Sequence, residues 1–355
     1  MNCLLLYYTG TFNTRYITQK LKLRLEREGW NITTYEIDPL NNEMLDFSSY
    51  DIIGFGCPIY GFAAPYAFLK FIRAQKFPPG IKAFIYKNSG ETYHANDASS
   101  KYFLRKLRKD KVDVQNEYHF MMPYNIHFPF DDYCIREMFE MNKKLLEILV
   151  HEVKNGISNL KPYKLWPRFV TTVVARPQYI GGDANSFLYH VDMNKCIDCG
   201  LCIKRCPTQN IYKKPSKSGD ERGEFGFHHN CLMCMRCSFF CPADAFDIGF
   251  LEDWGWHVNK KGGYDFTKIE ELPLDEPFIT NKTEGFFSCY CEKYEAINKK
   301  YKEIFGDKPV ENPDWAPSPV SDHWKEENSK VTALKHSDRT YKQASAFYID
   351  SLFSE

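Results

Sequence analysis

The sequence predicts an α/β protein: a doubly wound parallel sheet of five strands, then a small cysteine-rich domain, then an irregular C-terminal extension. Three observations lead there. Up to Gly156, short apolar runs alternate with segments of helical period. Eight of the 13 cysteines fall between Cys196 and Cys241. Beyond residue 250 the chain is polar, and its periodicity is weak.

The elements follow in order. Leu4–Tyr8 is the first apolar run, and Thr9–Thr14 is a loop. Ile17, Leu21 and Leu25 recur one helical turn apart, and Gly29 ends that helix. Asn31–Ile37 alternates as a strand does, and Asp51–Gly56 reads as the third strand. Pro65 suits a first helical turn, with Phe68, Phe71 and Ile72 on the buried face. Lys82–Lys87 is the fourth strand. Phe103, Leu104 and Leu107 mark a helix in the basic run Lys101–Lys111. Val112–Phe120 is the fifth strand. Asp131 or Asp132 caps a long helix through Leu145, Leu149 and Val153 to Gly156. Residues 157–187, with prolines and a Gly-Gly pair, read as a linker. This gives a sheet domain at 1–156, a linker at 157–187, a cysteine-rich domain at 188–250 and an extension at 251–355. The extension is expected to pack on the other domains as short helices and extended segments.

Equal numbers of acidic and basic side chains, 46 each, argue against bulk nucleic-acid binding and a polybasic membrane anchor. No apolar stretch approaches the length of a membrane span. The first residues show no basic region, apolar core and cleavage site, so a cytoplasmic protein is expected. In a reducing compartment, clustered cysteines point to metal rather than disulfides.

"CIDCGLCIKRCP" (Cys196–Pro207) recurs as "CLMCMRCSFFCP" (Cys231–Pro242). The spacing Cys-x2-Cys-x2-Cys-x3-Cys-Pro, twice, differs from the paired Cys-x2-Cys knuckles of zinc sites. Soft sulfur donors suit iron. The pattern resembles the bacterial two-cluster ferredoxin domain, a small α+β fold. In that family the fourth cysteine of each run ligates the other cluster. The resemblance implies one [4Fe–4S] cluster on Cys196, Cys199, Cys202 and Cys241, and another on Cys231, Cys234, Cys237 and Cys206. His228 and His229, just before the second run, read as surface residues.

With an iron–sulfur domain attached, the loop Thr9, Gly10, Thr11, Phe12, Asn13, Thr14 takes on meaning. It has neither the lysine of a P-loop nor three spaced glycines. Hydroxyls, the Asn13 amide and the N–H groups at a helix start suit a phosphate monoester without a cation. Doubly wound sheets bind ligands beyond the strand carboxyl ends, where strand order reverses. "TGTFNT" resembles the phosphate loop of flavodoxins, and "GCPIYGF" their second flavin loop. "KNSGETY" and "MPYN" are similar to loops over the flavin. The whole chain resembles fusions of a flavodoxin domain with a two-cluster ferredoxin domain. The resemblance implies a flavodoxin-like sheet binding FMN. Pro58, Ile59, Tyr60 and Gly61 would then flank the ring, with Tyr60 stacking. Asn88, Ser89 and Gly90 would lie near its edge, and Tyr93 would stack second. Phe12 departs from the family's small residue and is expected either to crowd the phosphate or to face solvent.

Several residues carry open alternatives. Cys57 is a redox or flavin-tuning thiol, or a small core residue. Cys289 and Cys291 are a closely spaced pair that takes a metal or, without further ligands nearby, reads as bystanders, and Cys3 and Cys134 read as packing. The basic run either docks an acidic partner such as another ferredoxin or forms a solvated helix face. Trp254, Trp256, Trp315 and Trp324 cover cluster edges or anchor the tail.

The expected function is an electron-transfer iron–sulfur flavoprotein that converts between one-electron clusters and a flavin taking one or two electrons. Its partners would be a ferredoxin, an oxidoreductase or a small-molecule acceptor. Two rival readings remain: a reductase of a quinone or enone with an open pocket near Tyr60, Tyr93 and Tyr124, or a redox sensor without turnover. No nicotinamide site is legible.

Overall fold

The computed structural model describes residues 1–216, 219, 221–249, 263–280 and 282–310. They form two compact units. The first comprises Met1–Tyr124, Phe130–Ala175 and the described part of Asp265–Ser318. The second comprises Asn125–Pro129 and the described part of Arg176–Tyr264.

The first unit is built on five parallel strands in the order β2-β1-β3-β4-β5. These are β1 (Asn2–Tyr7), β2 (Asn31–Glu36), β3 (Ile52–Pro58), β4 (Lys82–Ser89) and β5 (Asp113–Met121). The order is that of the flavodoxin-like doubly wound fold, whose switch point lies between β1 and β3. β1 and β3 are buried along almost their whole length, as strands covered on both faces must be. Gly56 in β3 allows the close packing. A Cβ there would fall 2.4 Å from the Tyr86 ring, which lies across the strand.

Helices α1 (Asn13–Arg27), α2 (Tyr66–Ala74), α3 (Lys101–Lys109) and α4 (Asp132–Lys154) flank the sheet. α1 packs with α4, and α2 with α3. Asp131 caps α4, its carboxylate accepting from the Tyr133 N–H at 2.9 Å. Gly156 follows the helix with φ 64°, a conformation open to a residue without Cβ.

The 157–187 segment differs from the sequence expectation. Residues Leu165–Ser186 form one helix, α5. Pro167 sits in its first turn, where a missing N–H costs nothing. Gly182 is a packing residue: a Cβ there would lie 2.3 Å from the Cys231 carbonyl oxygen. The Gly-Gly pair lets a helix approach a backbone.

The second unit contains two small antiparallel ladders. β6 (His190–Val191) pairs with β9 (Phe246–Asp247), and β7 (Ile211–Lys214) with β8 (Glu224–Phe227). The long insert between the cysteine runs is therefore mostly the β7–β8 hairpin. Single turns of helix, α6 (Leu201–Lys204) and α7 (Arg236–Phe239), carry the third cysteine of each run, Cys202 and Cys237.

Past residue 250, the described residues include α8 (Phe266–Glu270) and α9 (Cys289–Phe305), both packed on α4. α8 docks through the Phe266 ring against Tyr16 and Phe139, and through a buried Lys20–Glu270 ion pair at 3.3 Å. α9 is longer than the short helices expected. Trp254, Trp256, Trp315 and Trp324 lie outside the described residues.

Candidate functional site

The two cysteine runs fold alike. In the first, Asp198 and Gly200 have positive φ, 54° and 68°. In the second, Met233 and Met235 do, at 51° and 59°. Two left-handed residues at matching offsets wind each run into a tight loop. Gln209 and Asp244, each three residues past the fourth cysteine, repeat the match at 53° and 50°.

The fourth cysteine of each run joins the other loop. Cys196, Cys199, Cys202 and Cys241 line one recess, enclosing about 360 Å³ of space between protein and solvent. Cys206, Cys231, Cys234 and Cys237 line a second recess of about 360 Å³. Cys237 borders both, but its strongest sulfur neighbours are Cys231, Cys234 and Cys206. Burial pushes the Cys202 and Cys231 thiols up to about 12, and the neighbouring sulfurs add to the rise. Such a set is stable as thiolates only around positive charge, which bound iron supplies.

At the carboxyl end of the sheet, four loops are tied together. Phe12 caps α1 in a left-handed conformation, φ 71°, and no side chain caps the helix. Thr9, Thr11 and Thr14 are buried around this start. Thr14 Oγ1 donates to Asn88 Oδ1 at 2.8 Å, and Asn13 Nδ2 donates to the Pro123 carbonyl at 2.9 Å. These two side chains, read as phosphate donors, here link the β1 loop to the ends of β4 and β5. The Ile59 N–H donates to the Asn88 carbonyl at 2.8 Å. Tyr60 and Ala63 exchange both backbone bonds across Gly61 and Phe62, which have φ 48° and 65°. That is a tight primed turn holding Tyr60 half-buried and Gly61 exposed. Phe12 is buried rather than solvent-facing, under the Arg15 guanidinium at 4.5 Å. Arg15 is in turn held by Glu36 through two bonds of 2.7 Å.

These residues fit FMN by donor chemistry: a helix start without a side-chain cap, buried hydroxyls at Thr9 and Thr11, and Gly10 within the turn. When bound, the flavin supplies transfer of one or two electrons.

The end of β4 and the loop after it are partly enclosed. Asn88 and Ser89 are buried, and Tyr93 is 45 % exposed. Gly90 lies flat against Tyr124, whose ring a Cβ would meet at 2.2 Å. Tyr124 packs on Phe130 and Phe286 with centroids 5.3 and 5.5 Å apart. Phe286 and Phe287 precede α9. Tyr290 on α9 donates to the Gly90 carbonyl, and Thr92 donates to the Cys289 carbonyl. An aromatic wall from the C-terminal segment thus closes on the third loop. Sequence reasoning missed it. The only signal was the apolar cluster "GFFSCY" inside an otherwise polar tail.

His119 braces this loop from β5. Ser89 Oγ donates to the Glu91 carbonyl at 2.6 Å and so accepts from His119 Nε2 at 2.7 Å. Burial, with the Lys293 and Lys87 charges, holds the imidazole well below its usual pKa. The unfolded chain takes up this proton near pH 6.5 and so binds more protons than the folded one. Stability therefore falls as pH drops below about 6.5, by up to about 1.36 kcal/mol per pH unit from this group. Unfolding free energies from denaturant titrations between about pH 7.5 and about 5.5 are expected to fall, and His119→Gln to lessen the fall, the remainder coming from His127, His228 and His229, which burial also holds below their usual pKa.

The family of 4Fe-4S dicluster domains matches residues 195–245. Residues 195–245 are a two-cluster ferredoxin domain. The chain is 29 % identical over 85 residues to Ferredoxin-3 of Nostoc sp. (strain PCC 7120), the match spanning 19 % of this chain and 82 % of that protein. A short-chain flavodoxin associated with a PDU bacterial microcompartment is 18 % identical, covering 35 % of this chain and 86 % of its own, with a TM-score of 0.30. Flavodoxin 1 of Bacillus cereus is 15 % identical, covering 45 % and 100 %, also with a TM-score of 0.30. The flavodoxin-like assignment rests on the strand order itself and not on these low scores. The chain joins a flavodoxin-like fold to a two-cluster ferredoxin domain, and it is an iron–sulfur electron-transfer protein.

Within the ferredoxin domain, backbone N–H groups point at sulfur in matched pairs. Asp198 and Met233 donate to Cys196 and Cys231 at 3.4 and 3.3 Å. Asn210 and Ala245 donate to Cys206 and Cys241 at 3.1 and 3.3 Å. Such bonds favour the more reduced, more negative cluster. The Tyr189 hydroxyl, 3.5 Å from Cys231 Sγ, has no counterpart at Cys196 in the described residues and makes the two cluster sites unequal. His228 stacks on Tyr212 and His229 on Phe187, with centroids 4.4 and 3.5 Å apart; His228 is exposed, as expected, and His229 is half-buried.

The remaining cysteines separate by burial. Cys3, Cys57 and Cys134 are buried, and burial raises each thiol pKa. Protonated and enclosed, they act as small core residues. Cys291 donates to the Thr280 carbonyl at 3.1 Å. Among the described residues, no helix is long and apolar enough to cross a membrane.

Proposed function

We propose that this protein shuttles electrons between two [4Fe–4S] clusters and an FMN. Cys196, Cys199, Cys202 and Cys241 would hold one cluster, and Cys231, Cys234, Cys237 and Cys206 the other. The flavin phosphate would sit on Thr9–Thr14. The ring would lie between Pro58–Gly61 and Asn88–Gly90, with Tyr60 stacking and Tyr93 at its edge. The observation that carries this reading is the tying of four loops at the switch end of the sheet, in the same chain as two four-sulfur recesses. The clusters pass single electrons, and the flavin gathers them in pairs for a partner protein or small oxidant. With Cys199 exposed, an oxygen-poor cytoplasm is the proposed setting.

The chain's own groups divide the labour. The α1 start and the threonine hydroxyls bind and neutralise phosphate. The Tyr60–Ala63 turn orients its ring. Tyr124 and Phe286 exclude water from the third loop. That packing favours a carrier over a reductase needing open space beside Tyr124.

Anaerobic purification with iron, sulfide and flavin quantification tests the reading. About eight irons and about one FMN per chain are expected. About eight irons with no flavin, and no uptake of added FMN, would overturn the flavin site and leave the sensor reading. Rapid turnover of a quinone panel would favour the reductase.

A further inference from the structure

The first half of α5 presents large apolar side chains to solvent. Leu165 is 80 % exposed, Trp166 64 %, Phe169 58 % and Val173 50 %. At about 100° per residue these four fall within one arc of about 100°. The Trp166 and Phe169 rings stack with centroids 6.0 Å apart, so the stripe is continuous. Pro167 and Thr171 occupy the opposite, buried arc.

Cations border the stripe. Lys161, Lys164 and Arg168 are exposed on or just before the helix. α3 runs alongside: Lys101 Nζ donates to Thr172 Oγ1 at 2.6 Å, and the Arg108 charge reaches Tyr163. α3 contributes exposed Arg105, Arg108 and Lys109 to the same surface. The nearby Asp110 carboxylate is taken by Lys106. In a chain with 46 acidic and 46 basic side chains, six exposed cations beside four exposed apolar groups are a local concentration, not a general excess.

We propose that this face docks on an anionic lipid surface, as a peripheral contact that leaves the chain outside the bilayer core. Leu165, Trp166, Phe169 and Val173 would enter the boundary between headgroups and acyl chains, and the α3 and α5 cations would meet the lipid phosphates. The shape selects a bilayer over an acidic protein. The apolar groups stand outward on a convex helix, and a fluid interface receives them without a matching groove. Trp and Phe flanked by Lys and Arg are the residues that interface favours. A redox protein docking briefly through charge alone needs no outward Trp, Phe and Leu.

The test uses anaerobically purified full-length protein. It is floated with vesicles of phosphatidylcholine alone and of phosphatidylcholine with phosphatidylglycerol. Flotation with the anionic vesicles only, reversed by salt, is expected. Trp166→Ser/Phe169→Ser should weaken vesicle binding at least about tenfold. Arg105→Gln and Arg108→Gln should each weaken it roughly fivefold. All four side chains are exposed, so cluster absorption should be unchanged. Trp166→Ser alone serves should the double variant lose it. Absence of flotation with anionic vesicles, or flotation that every variant leaves unchanged, overturns the proposal. So does binding of an acidic plant-type ferredoxin, lost in the arginine variants, without vesicle binding; the face would then be a protein dock.

Discussion

Replacing Cys196 and Cys241 together by alanine is expected to leave one intact cluster and about four irons, whereas replacing Cys196 and Cys206 leaves none. The two pairs are chosen because sequence distance and spatial grouping disagree. Cys196 and Cys206 share a run, yet they line different recesses; Cys196 and Cys241 are far apart in the chain and line the same one. If each run served its own cluster, the outcomes would be exchanged. Cys196→Ala/Cys241→Ala removes two ligands from one cube, and the second loss adds little to the first. Cys196→Ala/Cys206→Ala removes one ligand from each. Iron and sulfide analysis, with the electron paramagnetic resonance of the reduced protein, reads the difference. The spectrum of Cys196→Ala/Cys241→Ala should lose the broadening that two interacting clusters give.

Phe130→Ala should cost about 3–5 kcal/mol in the unfolding of the flavodoxin-like unit. Phe130 is 2 % exposed and touches Tyr124, Phe286 and Phe287 at centroid distances of 5.3 to 5.9 Å. Truncation leaves a cavity at the centre of the aromatic wall, and three rings lose packing partners at once. A denaturant titration under nitrogen, followed by far-ultraviolet circular dichroism, gives the cost. A loss below about 1 kcal/mol would mean the wall is not a packed element. The functional consequence runs the other way. With Phe286 released, Tyr124 can leave Gly90, and quinone turnover by the loaded protein should rise.

The strands were legible because fully buried parallel strands read as apolar runs such as "LLLYY" and "DIIGFG", whereas their order was implied only by the resemblance to flavodoxins. The long helix announced its ends through Asp131 and Gly156. The cysteine spacing pointed to two clusters through its resemblance to two-cluster ferredoxins. What the sequence concealed was long-range. Pro167 and Gly182 read locally as helix breakers, and only the fold shows one harmless in a first turn and the other packed on the Cys231 carbonyl. Thr14 and Asn13 look like phosphate donors, and nothing local says that their hydrogens go to Asn88 and Pro123. The Phe286–Tyr290 segment lies some 200 residues from the Gly90 loop it covers. No periodicity encodes a contact of that span. His119 showed no sequence signal either, because its role depends on the neighbouring strand bringing Ser89 beside it.

The exchange of fourth cysteines has a consequence for how the ferredoxin domain comes into being. Each half of the domain holds three prongs for one cube and lends a single prong to its sibling. Neither cube can be finished until both halves are present, and removing either metal core loosens the whole fastening. Maturation therefore waits on the second run: the chain must extend through Cys237 before one set of four sulfurs is complete, and through Cys241 before the other is.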